Sequence, residues 1–153
     1  MVAIHPLTDT RRSLPLDRRN EVVNAHTDFQ LVISYNPGYQ RLLKDLKPST
    51  KQRFVEIDFQ YPLPAIESEI IVHESGVSVE MSHTLVAIGT RMRQLKGHGL
   101  DEGASTRMLV YAGALIAGGI APEAACRMAL VQPISDDADI LEALSGIVQS
   151  CLK

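Results

Sequence analysis

Three polar side chains in this sequence have the chemistry to handle phosphate: Asn36, Arg53 and Arg107. Asn36 ends an apolar run, Leu31-Val-Ile-Ser-Tyr-Asn-Pro-Gly-Tyr39, which Pro37 and Gly38 cut off. An amide at that place can orient a water, because it donates and accepts hydrogen bonds at once. Arg53 stands in Ser49-Thr-Lys-Gln-Arg-Phe54, and Arg107 closes Gly103-Ala-Ser-Thr-Arg107 at a predicted helix start. A guanidinium stays charged and presents a planar fork that matches phosphate oxygens. A helix amino end adds unpaired N–H groups and a favourable dipole for an anion. Each residue also has a plainer explanation. Asn-Pro-Gly is ordinary turn chemistry, Arg53 can be a surface residue before a core phenylalanine, and Arg107 can pair with Asp101 or Glu102.

The elements that must position these residues change character near Tyr61-Pro-Leu-Pro64. Before it lie short strand-like runs. Val2 to Leu7 and Ser13 to Leu16 flank a polar turn containing Asp9, Arg11 and Arg12, which reads as a hairpin. Leu31 to Tyr35 is too short for a helix and β-branched enough for a buried strand, which places Asn36 at a strand's carboxyl end, where open α/β sheets bind ligands. Tyr39 to Leu46 reads as a short helix stopped by Pro48, and Phe54-Val-Glu-Ile-Asp-Phe59 alternates like a half-exposed strand.

After the prolines the pattern is helical. Pro64 opens a helix through His73 with Ile66, Ile70 and Ile71 on one side and Gly76 just past its end. Ser78 caps the next, where Met81, Leu85, Ile88, Met92 and Leu95 follow helical spacing until Gly97. A third begins near Gly103 or Ser105 and, being apolar nearly all round from Met108 to Ala117, should be the central helix of a bundle. Pro122 opens a fourth. Ser135 or Asp136 caps a fifth, with Asp137 and Asp139 near its positive end.

Composition narrows the function classes. A chain of 153 residues with 45% hydrophobic content suits one domain or two small ones. A formal charge of −3 and a pI near 5.9 supply no general attraction to nucleic acid or anionic membrane. No run approaches the roughly 18 apolar residues of a membrane span, and the N-terminus lacks a signal pattern, so a cytoplasmic protein is expected. Cys126 and Cys151 lack the spacing of a zinc site and read as packing or surface thiols. His5, His26, His73, His83 and His98 also lack metal-ligand spacing, so no bound zinc is expected.

A fully apolar strand such as Leu31 to Tyr35 wants neighbours on both edges and cover on both faces. Each parallel crossover takes roughly 30 residues, so the part before Pro62 supplies about one such unit. Another chain, or a longer version of this one, is expected to complete the sheet.

In sequence the chain resembles the back half of the MoxR branch of the AAA+ ATPases, and within it the CbbQ/NirQ/NorQ group. The resemblance runs through His5-Pro-Leu-Thr-Asp9, Leu31 to Gln40, Leu43-Lys-Asp-Leu-Lys-Pro-Ser-Thr-Lys-Gln-Arg-Phe54, Leu95 to Arg107, and Ala129-Leu-Val-Gln-Pro-Ile-Ser-Asp-Asp137. It implies a fold of class α/β followed by all-α. Residues 1–61 would be the last part of an AAA+ core, and residues 62–153 a helical lid. It also implies roles. Asn36 matches sensor 1, which positions the attacking water; Arg53 matches the arginine finger that reaches into a neighbouring subunit; Arg107 matches sensor 2 on the lid. In GTPases an arginine finger is worth on the order of 10³ to 10⁵ in rate.

The resemblance further implies ATP and Mg²⁺ as cofactors of the complete protein, a hexameric ring, a von Willebrand factor A domain adaptor, and a client enzyme such as Rubisco or nitric oxide reductase. The phosphate-binding Gly-x-x-x-x-Gly-Lys-Ser/Thr loop is absent, as is a Walker B run ending in Asp-Glu. The chain alone is therefore expected not to hydrolyse ATP or bind it tightly, and Met1 to mark a truncated frame, a split gene or a fragment. A second reading makes the chain a non-catalytic regulatory module that joins complete subunits. A third, nucleic-acid binding through Arg91, Arg93 and Lys96, is weaker, since those residues read as the charged face and last turn of one helix. Arg11, Arg12, Arg18 and Arg19 around the hairpin read either as a client-touching loop or as a solvated charged turn.

Overall fold

The computed structural model describes residues 5–34, 52–97, 100 and 102–153. The chain divides into two compact units, Met1–Asp58 and Phe59–Lys153.

In the first unit a single turn of helix, α1 (His5–Thr8), precedes a two-stranded antiparallel sheet of β1 (Ser13–Leu16) and β2 (Glu21–Asn24). Ser13 lies opposite Asn24 and Leu16 opposite Glu21. The hairpin therefore forms one segment later than expected, because His5–Leu7 goes helical and the turn falls at Asp17–Asn20. Arg19 N–H donates to the Leu16 carbonyl at 2.9 Å, and Asn20 takes the left-handed conformation at φ 50°, which asparagine tolerates well. Arg12, also at φ 50°, donates through its guanidinium to the carbonyls of His26, Thr27 and Phe29 and ties the segment after β2 back to the start of β1.

The two further strands expected in this region do not form among the described residues. Residues 31–34 are neither helix nor strand, and Val32 is 86% exposed. Residues 55–59 are likewise irregular, with Val55 93% and Phe59 88% exposed. The physical reason is common to both. A β-branched or alternating run gains order only when a neighbour completes its hydrogen-bond ladder and covers its apolar side, and the described residues offer neither. The expected helix from Tyr39 to Leu46, and Asn36 itself, lie outside the described residues.

The second unit is a helical bundle of α2 (Pro64–Ser75), α3 (Val79–Gln94), α4 (Thr106–Ala117), α5 (Pro122–Cys126) and α6 (Ala138–Leu152). A π-helical turn, Arg127–Val131, extends α5 and closes with Gln132 N–H on the Arg127 carbonyl at 3.0 Å. The starts and stops follow local chemistry. Pro64 and Pro122 begin their helices where no N–H partner is needed. The hydroxyls of Ser78 and Ser105 accept from Met81 and Met108 N–H groups, each cap being worth about 1 kcal/mol. Gly76 ends α2 at φ 73°, where a Cβ would be strained. The last helix is capped by Asp137, which accepts from Asp139 and Ile140, so the cap falls later than Ser135 or Asp136; Ser135 instead accepts from Asp137 N–H.

Ile71, Leu85, Ile88, Met92, Leu109, Leu130 and Leu144 are fully buried and form the centre of one core. The helix α4 packs against α2, α3, α5 and the π turn, in keeping with its expected central place. It is not apolar-buried all round, because Tyr111 is 57% exposed. On α2 the inward face differs from the expected one. Glu67, Ser68 and Ile71 are buried while Ile66 is half exposed. Ser82 donates to the Val79 carbonyl and so accepts from Ser68 at 2.6 Å, which satisfies both buried hydroxyls.

Candidate functional site

The first turn of α4 carries Arg107, and a buried polar cluster holds that turn in place. Glu67 on α2 has a side chain only 1% exposed, and Arg93 on α3 is 13% exposed. Arg93 Nη2 donates to Glu67 Oε1 at 2.6 Å and Nη1 to Oε2 at 2.9 Å, a two-pronged ion pair. Thr106 Oγ1, one residue before Arg107, donates to Glu67 Oε1 at 2.7 Å. Arg93 Nε donates to the Ala104 carbonyl at 2.8 Å. The Tyr61 ring covers the guanidinium from outside, with Arg93 Cζ 3.8 Å from its centroid.

Gly103 completes the cluster by letting the backbone approach α3 closely. A Cβ there would lie 2.7 Å from Arg93 Cα and 2.8 Å from its Cγ. Burial alone would push the Glu67 carboxyl to a higher pKa, but the hydrogen bonds from Arg93 and Thr106 and the nearby Arg93 charge outweigh it and hold the group below its ordinary value. Among the described residues no buried side-chain nitrogen or oxygen lacks a partner.

Arg107 itself is exposed and has no hydrogen bond or ion pair among the described residues. It does not pair with Glu102, and Asp101 lies outside the described residues. A fixed helix start that presents an unpaired guanidinium beside free N–H groups suits a phosphate or carboxylate.

Arg53 belongs to the first unit and is exposed. Its charge helps hold the Asp9 carboxyl at a pKa of about 2, an effect due first to the hydrogen bonds from Arg11. Arg11 grips Asp9 with Nε and Nη2, the latter at 2.6 Å. With Arg11 bound to Asp9 and Arg12 to backbone carbonyls, only Arg18 and Arg19 of the hairpin arginines stand without a partner among the described residues. Asn36 lies outside the described residues, so Arg53 and Arg107 enter separately.

Sequence reasoning missed Glu67 and misread Arg93. The basic last turn of a helix is ordinarily solvated, whereas Arg93 is half-buried with its guanidinium paired to Glu67, so it is unavailable as part of a nucleic-acid surface. The available signal was weak: a glutamate four residues before Ile71 shares its helical face. No group of three or more histidine, cysteine, aspartate or glutamate side chains gathers as a metal site among the described residues. No described helix is long and apolar enough to cross a membrane.

The bundle and its clamped α4 start define a small helical domain with its own core. The family profile described as CbbQ/NirQ/NorQ C-terminal matches residues 67–151, and the chain belongs to that family. It is 63% identical over 149 residues to the protein CbbQ of Hydrogenophilus thermoluteolus, covering 97% of this chain and 56% of that relative. It is 52% identical over 147 residues to the denitrification regulatory protein NirQ of Pseudomonas aeruginosa, covering 96% and 56%. With the protein NorQ of Paracoccus denitrificans it shares 48% over 146 residues, covering 95% and 54%. The chain thus spans about half the length of the curated relatives it matches.

Proposed function

We propose that this chain is the sensor and lid portion of a MoxR-type AAA+ subunit, an ATP-driven remodelling chaperone that activates a metal-dependent enzyme after its synthesis. The observation that carries the reading is Arg107, an exposed guanidinium at the start of a helix with no partner among the described residues, in a chain of the CbbQ/NirQ/NorQ family. In this reading residues 1–61 belong to the α/β core and residues 62–153 form the lid. Bound ATP with Mg²⁺ would supply the phosphoryl group whose transfer drives remodelling. Arg107 binds phosphate in its own subunit, Asn36 orients the water, and Arg53 reaches the nucleotide of a neighbour in a ring. The exposed apolar side chains of Val55, Ile57 and Phe59 support a core whose sheet is completed by further strands. The partners are complete subunits, a von Willebrand factor A domain adaptor and a client of the Rubisco or nitric oxide reductase kind. The name of the Pseudomonas aeruginosa relative, a denitrification regulatory protein, supports the second client.

The test uses a complete subunit, made by replacing the matched segment of the Hydrogenophilus thermoluteolus relative with this chain. Arg53→Ala is expected to lower ATP turnover by on the order of 10³-fold or more while nucleotide affinity stays near the parent's. Equal loss of both would refute a finger acting in trans. The isolated chain is expected to show no turnover. A second reading, a regulatory module that binds complete subunits without catalysis, is favoured by the helical unit's own core. Ring turnover that rises or falls on adding the isolated chain would support it.

A further inference from the structure

The buried charge of Glu67 and the half-buried one of Arg93 sit where apolar side chains would do as well for stability. Removing two charges from water costs about as much as their attraction returns, and well-packed apolar replacements are often as stable. What the pair does that an apolar pair could not is hold specific atoms of the chain before Arg107. Arg93 binds the Ala104 carbonyl at 2.8 Å, and Glu67 binds the Thr106 hydroxyl at 2.7 Å. The Gly103 backbone packs on Arg93, and Tyr61 shields the guanidinium. Contacts to residues 103, 104 and 106 therefore converge on the backbone leading into Arg107, while Arg107 itself stays unbonded among the described residues.

We infer that Glu67, Arg93 and Thr106 are positioning residues for Arg107: they lock the first turn of α4 onto α2 and α3, so that the Arg107 guanidinium meets the phosphates of a bound nucleoside triphosphate at a set angle. The inference rests on the reading of Arg107 as a phosphate contact. A clamp of this kind also links that contact to α2 and α3, so a movement of the helical unit that breaks the Glu67–Arg93 pair releases Arg107 from its register. Positioning matters because a misplacement of about 1 Å at a group far from the reacting atoms can cost on the order of 10²-fold in rate.

The experiment compares variants of the complete chimeric subunit by ATP turnover, by affinity for a fluorescent ATP analogue and by thermal unfolding. Glu67→Leu combined with Arg93→Met keeps an apolar, packed site, and Thr106→Val keeps the ion pair while removing one clamp bond. The apolar pair is expected to unfold near the parent's temperature yet to lose kcat/KM by on the order of 10²-fold. Its loss should match that of Arg107→Ala, with no further loss when the two are combined, because a misplaced guanidinium has nothing left to lose. Thr106→Val should lose a smaller, several-fold share without a change in unfolding temperature. Full activity in both the apolar pair and Thr106→Val, with Arg107→Ala impaired, would overturn the positioning role alone. If Arg107→Ala has no effect on affinity or turnover, the reading of Arg107 fails and the positioning role falls with it. If the apolar pair fails to fold, Thr106→Val decides: a loss that is absent on an Arg107→Ala background supports the clamp, and an unchanged kcat/KM overturns it.

Discussion

Changing Glu67 to glutamine removes one charge at the centre of the helical unit and almost nothing else. The amide oxygen can still accept from Arg93 Nη2 and from Thr106, which donate to Oε1 at 2.6 and 2.7 Å. The amide nitrogen then faces Arg93 Nη1, which now donates to Oε2 at 2.9 Å, so two donors oppose each other. Arg93, 13% exposed, keeps only the Ala104 carbonyl and the Tyr61 face as further support. Breaking a buried pair by removing one partner costs about 3–5 kcal/mol, and the contacts that Arg93 retains reduce this to about 2–3 kcal/mol. For a unit of this size that is a fall of roughly 10–20 °C in Tm.

Far-UV circular dichroism reads the transition, because almost all described helix lies in Phe59–Lys153. The pH dependence supplies a second check. The Glu67 pKa lies below its ordinary value in the folded protein, so its contribution is present above the unfolded carboxylate's pKa and is lost as pH falls through the folded one. The parent should lose stability on acidification from about pH 4.5 downward, and Glu67→Gln should give a flatter curve over that window. A Glu67→Gln protein within about 0.5 kcal/mol of the parent, with the same acid profile, would refute the reasoning.

Other outcomes can be checked on the chain itself. Gly103→Ala forces a Cβ to within 2.7 Å of Arg93 Cα and should destabilise by about 1–3 kcal/mol in urea unfolding, with the Tyr61 near-UV signal altered as Arg93 shifts. Burial, with a smaller effect of Cys151, pushes the Cys126 thiol up to about 11, so a thiol reagent at neutral pH should label Cys151 and spare Cys126 until the bundle unfolds. The stability tied to the neutral Cys126 thiol is present below pH 9 and is lost as pH rises toward about 11, which Cys126→Ala should abolish.

The helix limits were legible because capping and proline chemistry are local. Ser78, Ser105, Pro64, Pro122 and Gly76 all act where their types suggested. The strand at Leu31 to Tyr35 was misjudged for the opposite reason: a strand is completed by its neighbours, and residues 31–34 have no ladder partner among the described residues. Arg107 was legible as a helix-start arginine, although its lack of an ion pair with Glu102 was not.

By itself the sequence determined where most helices of the second unit begin and end, and the family, since each depends on residue type and order along the chain. Only the tertiary structure decided which face of α2 turns inward and what Arg93 does. A glutamate in the first turn of α2 and an arginine in the last turn of α3 read as surface charges until folding brings a third group, Thr106, and a carbonyl, Ala104, to the same place. In water those charges would stay solvated. Inside the bundle they must be paired, and the pairing fixes the turn that carries Arg107.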